Sequence, residues 1–219
     1  MNQNYTHMSV ILDRTGSMES IRDDVIGGFN AFLHDQQQQE GKATLTLVQF
    51  DTQDPYEVVH HWKDIKAVPD LDRNTYVPRA STPLYDTIGR GIIDLEASIA
   101  KLPESDRPSQ VMMVIITDGQ ENSSREFTKA RVTQMIKEKQ EKQNWQFVFL
   151  SADLEAMNDA RGMGFADSAS LLFAKTSAGS AEAFQLLSQK TVEYRFHKKK
   201  KFGFDLDDHQ KDDSSKEQS

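Results

Sequence analysis

The sequence predicts an α/β, doubly wound domain: a mostly parallel central sheet of about six strands, one of them an antiparallel edge strand, with helices on both faces. Three observations carry this. Apolar runs too short for helices alternate with segments of helical periodicity along most of the chain. Residues 111–117 (VMMVIIT) are apolar almost without a break, as a strand covered on both faces must be. The first and fourth strand-like runs both stop at an aspartate that leads into a Gly-containing loop.

The elements follow in order. Residues 8–12 read as a buried strand, stopped by Asp13-Arg14-Thr15-Gly16-Ser17. With Ser17 as N-cap, Ile21, Val25, Phe29, Phe32 and Leu33 line one face of a helix reaching about residue 35. Gly27-Gly28 inside it costs helix propensity, which is expected where the helix packs closely on a neighbouring strand or loop. Residues 43–50 and 56–62 alternate in character across a short link at Asp54-Pro55, so they form an antiparallel pair. Residues 64–81 show no period and read as an irregular segment. Ser81 or Thr82 can then cap a helix that accepts Pro83 in its first turn and runs to about residue 102, with Leu84, Ile88, Ile92 and Leu95 on one face. After the central strand come a charged helix over 126–142, a buried strand over 145–150 and a short helix over 154–163. A last short strand over 169–173 and a helix over 180–194 complete the order β-α-β-β-α-β-α-β-α-β-α. Residues 195–219 carry four consecutive lysines, 198–201, and an acidic, apolar-free end, so the expected division is one domain over 1–194 and a flexible tail over 195–219.

Composition narrows the function. A chain of 219 residues buries on the order of 70% of its unfolded surface, enough for one core without staples. No apolar run approaches the roughly 18 residues of a membrane span. With no Cys there is no disulfide scaffold, zinc ribbon or thiol nucleophile, so any metal must bind oxygen or His. Twenty-six Lys and Arg against 34 Asp and Glu give a net charge of −8, which argues against nucleic acid as a partner. The N-terminus lacks a basic patch followed by an apolar stretch, so a cytoplasmic location is expected.

In open parallel sheets ligands bind beyond the carboxyl ends of the strands, where the strand order reverses, commonly between the first and fourth strands. Asp13 directly follows the first and Asp118 the fourth, while Thr15, Ser17 and Thr82 are hydroxyls on loops opening onto the same edge. This oxygen-only set suits Mg²⁺, with Mn²⁺ a fair substitute. The plainer readings are that Ser17 and Thr82 only cap helices and that Asp23, Asp24 and Asp86 are solvated helix charges. His60-His61 points one ring to each face of a strand, cannot chelate one ion, and implies no catalytic base. Arg14 and Arg79 flank the loops as solvent-facing charges or as docking contacts, Arg79 the better placed. The lysine run is usually a solvated tail.

Asp13-x-Thr15-x-Ser17, Thr82 in Ser-Thr-Pro-Leu-Tyr-Asp, and Asp118-Gly119 together resemble the von Willebrand factor A domain over roughly residues 7–194. Its metal-ion-dependent adhesion site (MIDAS) reads Asp-x-Ser-x-Ser, Thr, Asp; Thr15 stands where that family most often has Ser. The resemblance implies a divalent cation contacted by the hydroxyls of Thr15, Ser17 and Thr82, with Asp13 and Asp118 acting directly or through water. One position stays open for a Glu or Asp carboxylate of a protein partner. Two carboxylates neutralise the ion and leave it able to attract one more acidic oxygen; a further carboxylate would weaken this, and Glu121 is the residue placed to intrude or to meet the partner. The function implied is a non-enzymatic, metal-dependent interaction module with no nucleic-acid or membrane partner. Intracellular bacterial relatives resembling the chain work beside AAA+ ATPases or in stress and conflict systems, tellurium-resistance clusters among them. The alternative is a Mg²⁺-dependent phosphohydrolase using the same aspartates, but it wants an acid two residues after Asp13, where Thr15 stands, and a lysine, which no neighbouring loop supplies in sequence. A nucleotide site would want more glycines than Gly16 after the first strand.

Overall fold

The structure is a computed structural model that describes residues 2–196 and 201–204. Its six strands are β1 (Asn2–Asp13), β2 (Lys42–Phe50), β3 (Glu57–Asp64), β4 (Pro108–Thr117), β5 (Gln146–Ser151) and β6 (Ser170–Leu172). They lie in the order β3-β2-β1-β4-β5-β6. Every neighbouring pair is parallel except β2 with β3, the antiparallel edge anticipated from the short Asp54-Pro55 link. The helices are α1 (Arg22–Gln37), α2 (Leu84–Lys101), α3 (Lys129–Gln143), α4 (Leu154–Gly162) and α5 (Ser177–Arg195). The doubly wound α/β architecture and the element order are as the sequence predicts. Among the described residues no helix is long and apolar enough to cross a membrane.

Alternation along β1 divides the core. Met8, Val10 and Leu12 face a cluster built with α1 and α5, while Ile11 faces one built with α2, α3 and α4. The chain leaves β1 for β2 on one side, and β4 lies on the other, so the strand order reverses between β1 and β4. Both strands end level there, with Leu12 paired to Ile116, and their loops form the ligand-facing edge.

Three local expectations change. The close approach at the glycine pair is between helices, not to a strand or loop: a Cβ on Gly28 would lie 2.2 Å from the Phe184 ring of α5, whereas one on Gly27 would meet nothing within 4 Å. Gly28→Ala is therefore expected to destabilise the fold by about 1–3 kcal/mol through overpacking. Gly27→Ala should be neutral or stabilising by up to about 1 kcal/mol, since Ala is the better helix former. Urea titration of both variants checks this, and equal effects would refute it.

Packing contacts also continue past residue 194, where the tail was expected to begin. Arg195 is buried and donates to the backbone oxygen and Oε1 of Gln36 at 2.9 and 3.0 Å. Phe202 and Phe204 are buried in the core on the α1/α5 face. Phe202 N donates to Gln146 Oε1 at 3.1 Å. Most of the expected tail, including Lys198, Lys199 and Lys200, lies outside the described residues. The third change concerns caps: α2 begins after Pro83 without a side-chain cap, and Ser17 lies inside a 3₁₀ turn (Gly16–Ile21) that is likewise uncapped by a side chain.

Candidate metal centre

The candidate ligands are assembled by three loops at the β1/β4 edge. Asp13, the last residue of β1, has no exposed surface. Its Oδ1 accepts from Thr15 N at 2.7 Å and its Oδ2 from Thr117 Oγ1 at 2.5 Å. Its carbonyl oxygen accepts from the Tyr76 hydroxyl at 2.6 Å. Burial pushes the Asp13 carboxyl up to about 7; the Thr117 and Thr15 donors pull it down only in part, and the charge of Asp118 pushes it further up. A cation in this site would reverse that balance by favouring the ionised form.

Ser17 Oγ lies 3.3 Å from Thr15 Oγ1 and donates to Asp118 Oδ1 at 2.5 Å. Asp118 itself follows β4 directly and is buried. Thr82 is held by its backbone: its N–H donates to Asn122 Oδ1 at 2.9 Å and its carbonyl accepts from Asn122 N at 3.1 Å. The α2 N-terminus does not use Thr82 at all. Tyr85 N donates to Glu121 Oε2 at 2.9 Å and Asp86 N to Ser124 Oγ at 3.1 Å, so the neighbouring loop satisfies those N–H groups. Neither Ser17 nor Thr82 is spent on capping a helix, which decides against the plainer reading of both. The two hydroxyls converge above Gly119, where a Cβ would lie 3.4 Å from Ser17 Oγ and 3.8 Å from Thr82 Oγ1. A side chain there would crowd the space the hydroxyls share.

The donor set fits a hard divalent cation: buried carboxylates and hydroxyls, with no soft ligand. Among the described residues no three His, Asp or Glu side chains gather to hold a metal. The oxygen atoms that this edge offers to an ion are the Asp13 and Asp118 carboxylates and the hydroxyls of Thr15, Ser17 and Thr82.

The flanking residues depart from expectation. Arg14 is neither solvent-facing nor offered for docking. It is buried, with Nε 2.7 Å from Asp51 Oδ2 and the guanidinium also bonded to Glu57. Arg79 shares the same acceptor, Nε to Asp51 Oδ2 at 2.9 Å, but its side chain remains partly exposed. Glu121 is directed into the fold: besides Tyr85 N it accepts from Ser123 N at 2.7 Å and from Ser124 N and Oγ at 2.6 Å. Asp86 is buried rather than solvated, accepting from the backbone N–H groups of Arg125, Glu126 and Phe127. Asp23 does pair at the surface, with Arg73.

Three residues were missed by sequence reasoning. Asp51 follows β2 one residue beyond the partner of Asp13 in the parallel register, and its place at a strand's carboxyl end was the available signal. Asn122 carried none. Lys175 overturns the view that no lysine approaches these loops: its Nζ lies 3.0 Å from Asp118 Oδ2. Only its place just after the last strand hinted at this.

No family model matches the chain, and no curated protein matches it in sequence. Solved structures do. A von Willebrand factor type A protein from Catenulispora acidiphila is similar with a TM-score of 0.54 at 15% identity, over 86% of this chain and 43% of that one. Proximal thread matrix protein 1 from the mussel byssus, with a zinc-occupied MIDAS motif, gives 0.55 at 12% identity over 86% and 46%. The manganese-loaded TRAP protein of Plasmodium vivax gives 0.53 at 12% identity over 84% and 74%. The chain thus spans less than half the length of the first two.

Proposed function

We propose that this chain, which has the von Willebrand factor A fold, is a divalent-metal-dependent protein-interaction module that grips a Glu or Asp side chain of a partner. One observation carries the reading: Asp13, Thr15, Ser17, Thr82 and Asp118, scattered over more than a hundred residues, come together at one sheet edge with the Ser17 and Thr82 hydroxyls left out of helix capping. Neighbours of the same fold that carry zinc in a MIDAS motif or manganese support a divalent ion. We assign Mg²⁺ or Mn²⁺ on the hardness of the oxygen set.

When bound, the ion supplies a Lewis-acidic position open to one more oxygen. The chain's own part is to hold Asp13 and Asp118 apart on adjacent strand ends and to fix the hydroxyls through Asn122 and the Thr15 turn. Arg79, partly exposed beside the edge, is the flanking residue placed to touch a partner. Arg14 and Glu121 support the loops instead. The proposal includes a cytoplasmic setting within a larger complex. A phosphohydrolase would now have a lysine in Lys175, yet Thr15 still stands where its acid is needed.

Calorimetric titration of Mg²⁺ and Mn²⁺ tests the site. Saturable one-site binding is expected for the wild-type chain and none for the Asp13→Ala/Thr82→Ala double variant. Wild-type protein that takes up neither ion would overturn the metal assignment. Equal capture of the same acidic partner by wild type, Asp13→Ala and Asp118→Ala would overturn the carboxylate grip.

A further inference from the structure

We propose that Lys175 is a built-in counter-cation of the metal centre, which weakens the hold on the ion and makes an anionic oxygen the ligand that completes the site. The inference rests on the metal reading above and goes beyond it by assigning a residue outside the Asp, Thr, Ser, Thr, Asp set. Lys175 Nζ lies 3.0 Å from Asp118 Oδ2, while Ser17 donates to the other oxygen of the same carboxylate. The Asp118 side chain is fully buried and that of Lys175 is 43% exposed, so the ammonium stands between the buried carboxylate and solvent.

The chain around Lys175 is tightly built. Phe173 N donates to Ser151 O at 2.9 Å and Thr176 N to Ala174 O at 2.7 Å. The Thr176 hydroxyl caps α5 by accepting from Gly179 N at 3.1 Å. Gly179 leaves no room for a side chain, since a Cβ would lie 2.6 Å from Ala174 O. A capped turn of this kind fixes where the lysine stem starts, within reach of Asp118.

Charge accounting gives the consequence. Asp13 and Asp118, both ionised, balance a divalent cation. Arg14 and Arg79 are balanced by Asp51 and Glu57, and the Glu121 carboxylate is turned to the α2 N-terminus and to Ser123 and Ser124 instead of to Asp118. Lys175 is the cation in direct contact with Asp118, so the ion, Asp13, Asp118 and Lys175 together would carry one net positive charge. Like charges a few ångströms apart repel strongly in a partly buried site, which lowers affinity for the ion. The same surplus favours a carboxylate over water or an amide at the open position, because only the carboxylate brings the centre to neutrality.

The lysine should therefore move two affinities in opposite directions, which a purely structural contact would not do. The test uses the full chain, with Mn²⁺ binding followed by water-proton relaxation enhancement and acetate titrated against Mn²⁺-saturated protein. Lys175→Gln, which keeps a donor but removes the charge, is expected to bind Mn²⁺ about tenfold more tightly and acetate several-fold more weakly. Lys175→Arg should keep both affinities close to wild type. Lys175→Met supplies a second neutral variant, with thermal melts confirming that each protein is folded. Unchanged or weaker Mn²⁺ binding by both neutral variants, or both affinities moving together, would overturn the role of Lys175 while leaving the metal site standing. Failure of every form, wild type included, to bind Mn²⁺ would instead bring down the metal reading and this inference with it.

Discussion

Asp13→Asn is expected to abolish divalent-metal binding and, in the presence of a chelator, to make the fold more stable at pH 8 than the wild type. Burial pushes the Asp13 carboxyl from 3.8 up to about 7. A carboxyl raised in this way contributes stability that is fully present below its unfolded value near 3.8 and is lost as the pH rises through about 7. At pH 8 the metal-free wild type thus carries a buried, ionised carboxylate beside Asp118. At 1.36 kcal/mol per pH unit that burden approaches roughly 4 kcal/mol. Asn can still accept from Thr15 N while bearing no charge.

Urea titrations in EDTA from pH 5 to pH 8 measure the difference between the two proteins. That difference is the quantity to use, because His7 runs the other way: burial, aided by the charge of His61, lowers it to about 3, so it contributes stability that is lost as the pH falls below about 6.5. Added Mg²⁺ should stabilise the wild type above pH 7 through mass action and leave Asp13→Asn unmoved. A variant no more stable than wild type at pH 8 in EDTA would contradict the account of Asp13. A variant still stabilised by Mg²⁺ would contradict its role as a ligand.

Asp51→Ala is expected to cost about 3–5 kcal/mol, the penalty for stranding a buried charge. Asp51 is fully buried and Arg14 nearly so, and Asp51 Oδ2 accepts from both Arg14 and Arg79. Burial alone would raise the Asp51 carboxyl. The donors Arg79, Asp54 N, Arg14 and Gln53 N together outweigh it and hold the group below its usual range. The stability this provides is present above pH 3.8 and lost as the pH falls below it.

The same cluster ties the β1 exit to the loop bearing Thr82: Arg79 N donates to Arg14 O at 2.8 Å and Gly16 N to Ala80 O at 3.0 Å. Metal affinity should therefore fall in Asp51→Ala as well, even where the protein stays folded. Chemical denaturation and Mn²⁺ titration of one preparation read both effects. A cost below about 1 kcal/mol would show that Arg14 finds other partners or water.

Much of this protein was readable along the chain because the relevant signals are local. A strand covered on both faces shows as VMMVIIT, a helix as the spacing of Leu84, Ile88, Ile92 and Leu95, and a ligand-facing edge as an aspartate at the end of each of two strands. Those patterns suffice for the element order and the antiparallel edge, and they bring Asp13 and Asp118 to neighbouring strand ends. The assignment of helix caps was less secure, since Ser or Thr before a helix is equally suited to capping and to ligation. What excludes capping by Thr82 is that Glu121 and Ser124 reach the α2 N-terminus from a loop almost forty residues away.

Tertiary structure alone decided the electrostatics of the site. Asp51 clamps Arg14 and Arg79, Asn122 holds Thr82, and Lys175 meets Asp118 across 57 residues of sequence. Charge and hydrogen-bond energies depend on separations of a few ångströms and on how much water lies between the groups, and neither quantity is written in residue spacing. Burial and periodicity, which set the strands and helices, are properties each segment carries in its own composition. The sign and strength of the field at the candidate site belong to the packed sheet edge.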